Sequence, residues 1–223
     1  MELLNAEAHR SLTIQAARGH GRHFVQVVPS ELARVAMRAP IVLTKHPETG
    51  HFYLGAIYGF SPGENLLLGA DGMLDGVVPL DWEREGFFVE GDAIAIDPVN
   101  PRFGGDGQRL FETGGEPADP LRRIQRAMAA LHSGLGESEA LINALLAAKL
   151  VEPFDVSLSF DDGETVRLEG LYTISRDALA DLSDAELGQM FRAGHLQLAL
   201  AIAESLNQIS LLARRRNDRL LAR

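Results

Sequence analysis

Five of the seven histidines lie early in the chain, at His9, His20, His23, His46 and His51. Imidazoles that converge from different strands with a carboxylate make a zinc or ferrous site. His20 and His23, and likewise His46 and His51, are spaced to contribute to one. No HxH, HxD or HExxH accompanies them, and metal ligands also need partners that orient them. His20 and His23 therefore stand as metal candidates against the default of solvent-facing loop imidazoles. Other catalytic signatures fail on particular residues. Gly19-His20-Gly21-Arg22-His23-Phe24 begins like a dinucleotide fingerprint, but Phe24 takes the last glycine's place. Asp71 to Gly76 imitates a calcium loop, with Met73 where an oxygen ligand belongs. No P-loop and no GxSxG elbow is present. The carboxylate pairs Glu83/Glu85 and Asp161/Asp162 lie in polar segments, whereas acid–base work needs environments that separate two pKa values. No catalytic residue is assigned and no cofactor is expected.

Binding chemistry is easier to place. Trp82, Phe87 and Phe111 are aromatics positioned to line a pocket, although such a stripe also reads as core. With Arg84 between the first two, they define a candidate surface under the 102–117 loop. Its expected occupant is a protein partner or a small molecule.

Composition narrows the classes. The 223 residues are 46% hydrophobic, enough for one large domain or two small ones. The absence of cysteine excludes disulfides, thiolate nucleophiles and iron–sulfur ligation by Cys. A formal net charge of −10 argues against nucleic-acid binding, because phosphate would be repelled. The N-terminus, MELLNAEAHRSLTI, has neither a basic nor an apolar signal region. No run approaches the roughly 20 apolar residues of a membrane span. The expectation is a cytoplasmic protein without a membrane span. Lys45 and Lys149 are the only lysines, so nearly every cation is an arginine. Composition bias explains this, as would guanidinium clamps. The arginine-rich end, ARRRNDRLLAR, reads either as a docking tail or as charge complementing a helix C-terminus.

The elements that must position these residues fall into two regions. Residues 1–118 are strand-rich; 119–223 are helical, with a hairpin at 155–170; together they are expected to form one compact unit. Strands are expected over Phe24–Val28, Ile41–Thr44, His51–Tyr58 and Asn65–Leu68, with a hairpin of Phe87–Glu90 and Ala93–Ile96. Ser30 is an expected N-cap and Asp81–Arg84 a helical turn. Asp119-Pro120 starts a helix that Gly134 and Gly136 end. Ser183 to Glu186 is a capping box, and a single last helix runs from Gly194 towards Arg216. The fold class is α+β: an N-terminal antiparallel sheet or partly open barrel, then a helical section with an inserted β-hairpin.

Several blocks, in order, resemble the bacterial SapC family. They are Pro40-Ile41-Val42, Gly59 with Pro62-Gly63-Glu64-Asn65-Leu66, Gly72 through Pro79, and Arg84 to Phe88. Asp106-Gly107…Leu110-Phe111…Gly115-Glu116-Pro117 follows, then Leu150 to Phe154, Gly170-Leu171-Tyr172, Gly194 and Ser205-Leu206-Asn207. Leu74, Val78 and Gly86 depart from the family's Trp, Tyr and Pro. The resemblance implies an accessory role near nutrient uptake or substrate modification, and it supplies no catalytic residue. The leading reading is a non-enzymatic accessory or binding protein. The alternatives are a metal-assisted enzyme using the N-terminal histidines and a surface-layer-associated structural protein. Homodimerisation through the last helix is a further expectation.

Overall fold

A computed structural model describes residues 1–17, 19 and 21–221. The chain divides into two compact units, each assembled from two segments. The first comprises Met1–Arg18 and Val78–His132; the second comprises Gly19–Val77 and Ser133–Arg223. The expected boundary at residue 118 falls inside the first unit. The class is α+β, with antiparallel sheets and a helical C-terminal section.

The first unit holds two small sheets. β1 (Glu2–Leu3), β6 (Phe87–Glu90) and β7 (Ala93–Ile96) pair in the order β1-β7-β6. β2 (Thr13–Ile14) pairs with β8 (Gln108–Arg109). The β6–β7 hairpin turns where Gly91-Asp92 predicts. A single turn of helix, α2 (Leu80–Glu83), precedes it. The core gathers Ile14, Phe87, Ile96, Leu110, Phe111, Leu121 and Ile124, all buried.

The second unit is built on one open sheet of five antiparallel strands in the order β3-β5-β4-β10-β9. These are β3 (Phe24–Gln26), β4 (Ile41–Lys45), β5 (Phe52–Ile57), β9 (Val151–Ser159) and β10 (Thr165–Ile174). The sheet keeps two edges and does not close into a barrel. The inserted hairpin is longer than expected, and β10 pairs with β4, so it extends the N-terminal sheet. Helix α1 (Pro29–Val35) begins one residue before the expected cap, with Pro29 at its first position and the Glu31 carboxylate accepting from the Val28 amide at 3.3 Å. α6 (His195–Ser205) packs on β4, β10 and α1, and α4 (Arg176–Ala180) and α5 (Asp184–Arg192) lead into it. The capping box at the start of α5 forms as expected: Ser183 Oγ accepts from the Glu186 amide, and the Glu186 carboxylate accepts from the Ser183 amide.

Three local expectations are corrected. Asn65–Leu68 is not a strand. The Asn65 side chain accepts from the Leu67 amide and curls the backbone into a turn. The Asn65, Leu66 and Leu68 carbonyls are then taken by Arg219, Arg215 and Arg219. The last helix is divided into α6 and α7 (Gln208–Leu221). Ser205 Oγ donates to the Ile202 carbonyl at 2.7 Å and accepts from the Ile41 amide at 2.8 Å, and such back-bonding bends a helix. By length and composition alone, His195–Leu221 is long and apolar enough to cross a membrane, a test that core helices of soluble proteins also pass. Arg215, Arg216 and Arg219 are spent within the unit. Arg215 pairs with Asp75, and Arg216 meets Glu164 at 2.5 Å while lying 4.2 Å over the Phe160 ring.

The third correction concerns α3 (Asp119–Ala147), which runs through Gly134 and Gly136 without a break. A glycine costs a helix about 1 kcal/mol relative to alanine, too little to stop one of this length. Gly134 is there for closeness: a Cβ would lie 2.6 Å from Val28 Cβ, whereas a Cβ on Gly136 would meet nothing within 4 Å. The two glycines should therefore respond oppositely to alanine in urea denaturation. Gly136→Ala is expected to stabilise by roughly 0.5–1 kcal/mol. Gly134→Ala should destabilise by roughly 1 kcal/mol or more, because Val28 is fully buried and must shift. Equal responses would show that the close approach is not constraining.

Candidate functional site

The loop after β7 supplies the residue that organises the first unit. Arg102 lies between Pro101 and Phe103 and is only 8% exposed. Its Nη1 donates to three backbone carbonyls around the end of α2: Trp82 at 3.1 Å, Glu83 at 2.9 Å and Glu85 at 2.9 Å. They lie at and just past the C-terminal end of α2, where intrahelical bonding runs out; the Trp82 carbonyl also accepts from the Glu85 amide at 3.1 Å. Its Nε donates to the Gln15 carbonyl at 3.3 Å, and the Gln15 amide donates back to the Arg102 carbonyl at 2.7 Å. One guanidinium thus ties α2, the strand end at Gln15 and its own loop together. Burial pulls its pKa below the usual guanidinium value, an effect opposed by the nearby Glu83 and Glu85 carboxylates and reinforced by Arg123. An arginine stays charged despite such a shift.

The same loop is pressed onto β2. The Gly104 amide donates to the Thr13 carbonyl at 2.9 Å, and the Leu110 amide to the Leu12 carbonyl at 3.1 Å. Gly107 is obligatory here, since a Cβ would stand 2.5 Å from the carbonyl carbon and oxygen of Ile14. Between these pieces lies a cavity of about 610 Å³. Its apolar wall includes Ile14, Ala17, Val78 and Ile124; its charged groups are Glu83, Arg102, Asp106 and Arg123. Arg123 Nε stands 3.7 Å from Glu83 Oε1, longer than a hydrogen bond.

The residues singled out from sequence are placed differently from one another. Trp82 and Phe87 are wholly buried; Phe87 packs edge-on against Phe103 with ring centroids 5.4 Å apart. Arg84 is bound on its own element, donating to Asp81 at 2.6 Å and to the Phe87 carbonyl at 3.3 Å. Phe111 is 7% exposed and lines a separate shallow hollow of about 380 Å³. The expected surface is therefore core at Trp82 and Phe87, because α2 and β6 turn these rings inward. The cavity forms beside it, on Glu83 and the loop. Sequence reasoning did not reach Arg102 and Arg123. The signal for Arg102 is a single cation set among Pro101, Phe103 and two glycines.

The described histidines are not grouped at a metal site. His9 Nε2 contacts Glu2 Oε1 at 3.0 Å, and His46 accepts from the Glu48 amide at 3.3 Å within the β4–β5 turn. The His23 backbone carbonyl accepts from the Tyr58 and Gly59 amides. His20 lies outside the described residues. Among the described residues no three His, Asp or Glu side chains are grouped to hold a metal ion.

Two substitutions separate the organising arginine from its neighbour. Arg102→Met should lower unfolding stability by about 3 kcal/mol or more, because several buried carbonyls lose a charged donor at once. Arg84→Gln removes a partly exposed ion pair and should cost under about 1 kcal/mol. Chemical denaturation of both variants checks this; a small loss for Arg102→Met would contradict the clamp.

A family model, SapC, matches residues 4–212 of the 223. No curated protein and no solved structure matches the chain. The matched span takes in most of both units, including the Arg102 loop, α6 and the start of α7, and the chain belongs to the SapC family.

Proposed function

We propose that this protein is a non-enzymatic accessory or binding protein, and that the cavity beside Arg102 is where it holds a small molecule. The observation that carries this reading is the cavity's construction. Its volume of about 610 Å³ falls within the roughly 300–1,000 Å³ usual for small-molecule sites. One apolar wall faces a few charged groups, the mixture that such sites use for affinity and orientation. The wall is fixed before any ligand arrives, by Arg102 and by the glycine contact on β2. A preformed site avoids the cost of ordering loops on binding. The family resemblance supports an accessory role near nutrient uptake or substrate modification, in which holding a small molecule would be a natural task.

Native mass spectrometry after incubation with a desalted small-molecule extract tests this. Ala16 lines the cavity, is exposed and itself makes none of the Arg102 bonds, so Ala16→Trp serves as the obstructing variant. The wild type is expected to retain a small molecule that the variant does not. Retention by neither, or equally by both, would overturn the assignment.

A further inference from the structure

Arg102 has one donor group left over. Its Nε and Nη1 are committed to backbone carbonyls, and its Nη2 donates to no described protein group. Nη2 is also absent from the buried polar atoms that lack a partner. Nη2 is therefore not sealed from solvent, and Arg102 lines the cavity. A second guanidinium, Arg123, lines the same cavity and is half-exposed, with only the 3.7 Å approach to Glu83. Its hydrogen-bonding capacity is largely unspent.

We infer that the cavity recognises a small organic acid, its carboxylate meeting Arg102 Nη2 and Arg123 and its apolar body lying against Val78 and Ile124. This rests on the reading of the cavity as a binding site. Planar guanidiniums match carboxylates through paired, charge-assisted hydrogen bonds, which lysine's point charge does not reproduce. The lining cations and anions balance, so a carboxylate competes there with Glu83 and Asp106. Glu83 is only 23% exposed and is opposed by Arg123, while Asp106 is solvent-exposed. Arg102 is desolvated, an effect that the nearby Glu83 and Glu85 oppose and Arg123 reinforces. A carboxylate at Nη2 gives the buried cation its missing partner. The first turn of α3, at Pro120, forms part of the wall, and a helix start carries partial positive charge.

The probes are acetate, butyrate, benzoate and phenylacetate, each beside its primary amide, titrated by ligand-observed NMR. The acid and amide of each pair share shape and differ in charge. At least one acid is expected to bind more tightly than its amide by about tenfold, equivalent to about 1.4 kcal/mol. Its affinity should weaken as salt is raised. Arg123→Gln, which leaves the Arg102 bonds intact, should weaken that acid by about threefold or more and leave the amide unchanged. Acids and amides binding alike, or an acid indifferent to Arg123→Gln, would overturn carboxylate recognition while leaving the cavity a binding site. Binding by none of the probes would likewise overturn it. The binding reading itself falls only on its own test, if the wild type retains nothing from the small-molecule extract or the Ala16→Trp variant retains as much.

Discussion

A buried guanidinium bonded to backbone carbonyls is the constraint on which the first unit depends. Removing a cation from water costs several kcal/mol unless its donors are satisfied. Arg102 meets that cost with four carbonyls drawn from two distant parts of the chain. The spacing of those carbonyls requires a flat, branched donor, which explains why lysine's single ammonium is not equivalent here. The loop position that results determines the rest. Gly107 can lie on the Ile14 backbone, Leu110 can enter the core, and a cavity remains between the loop, α2 and the start of α3. The cavity is thus a by-product of how the chain satisfies its own polar groups, and the leftover Nη2 gives it chemical character.

The second unit uses the same device. Arg215 and Arg219 hold the carbonyls of Asn65, Leu66 and Leu68, and Arg216 is buried over Phe160 with Glu164 as its partner. The near-exclusive choice of arginine over lysine has a structural reason at these positions. The turn at 65–68 and the chain at 82–85 present backbone carbonyls to side-chain donors, and an arginine can take two or three at once. The arginine-rich C-terminus, a docking tail on one sequence reading, is largely occupied with this work.

The regular parts of the fold were legible because their signals are local. The β6–β7 hairpin follows from Gly91-Asp92, the α3 start from Asp119-Pro120, and the α5 start from Ser183 and Glu186. What escaped the sequence depends on contacts between distant residues. Gly134 looks like a helix breaker until Val28 is seen against it. Asn65–Leu68 has strand-like residues, but its carbonyls go to a helix about 150 residues away. Trp82 and Phe87 are aromatics of the right type for a pocket, yet the inward turn of α2 and β6 puts them in the core. The surface expected from Trp82, Arg84 and the 102–117 loop lies beside the cavity, whereas Glu83, which lines it, reads from sequence only as one of a polar carboxylate pair. Arg102 itself was not legible, because nothing in its local sequence says which carbonyls it will find.

The central claim is that Arg102 holds α2, β2 and the loop as one cooperative piece. Amide hydrogen exchange on the wild type and on Arg102→Lys tests it most directly. The amides of Gln15, Phe87, Gly104 and Leu110 are all hydrogen-bonded within this piece. The account predicts that they lose protection together, by at least about tenfold or about 1.4 kcal/mol of local stability, while amides of β4 and β5 keep theirs. Unchanged protection at those four positions would show that the piece holds without Arg102, and would contradict the account.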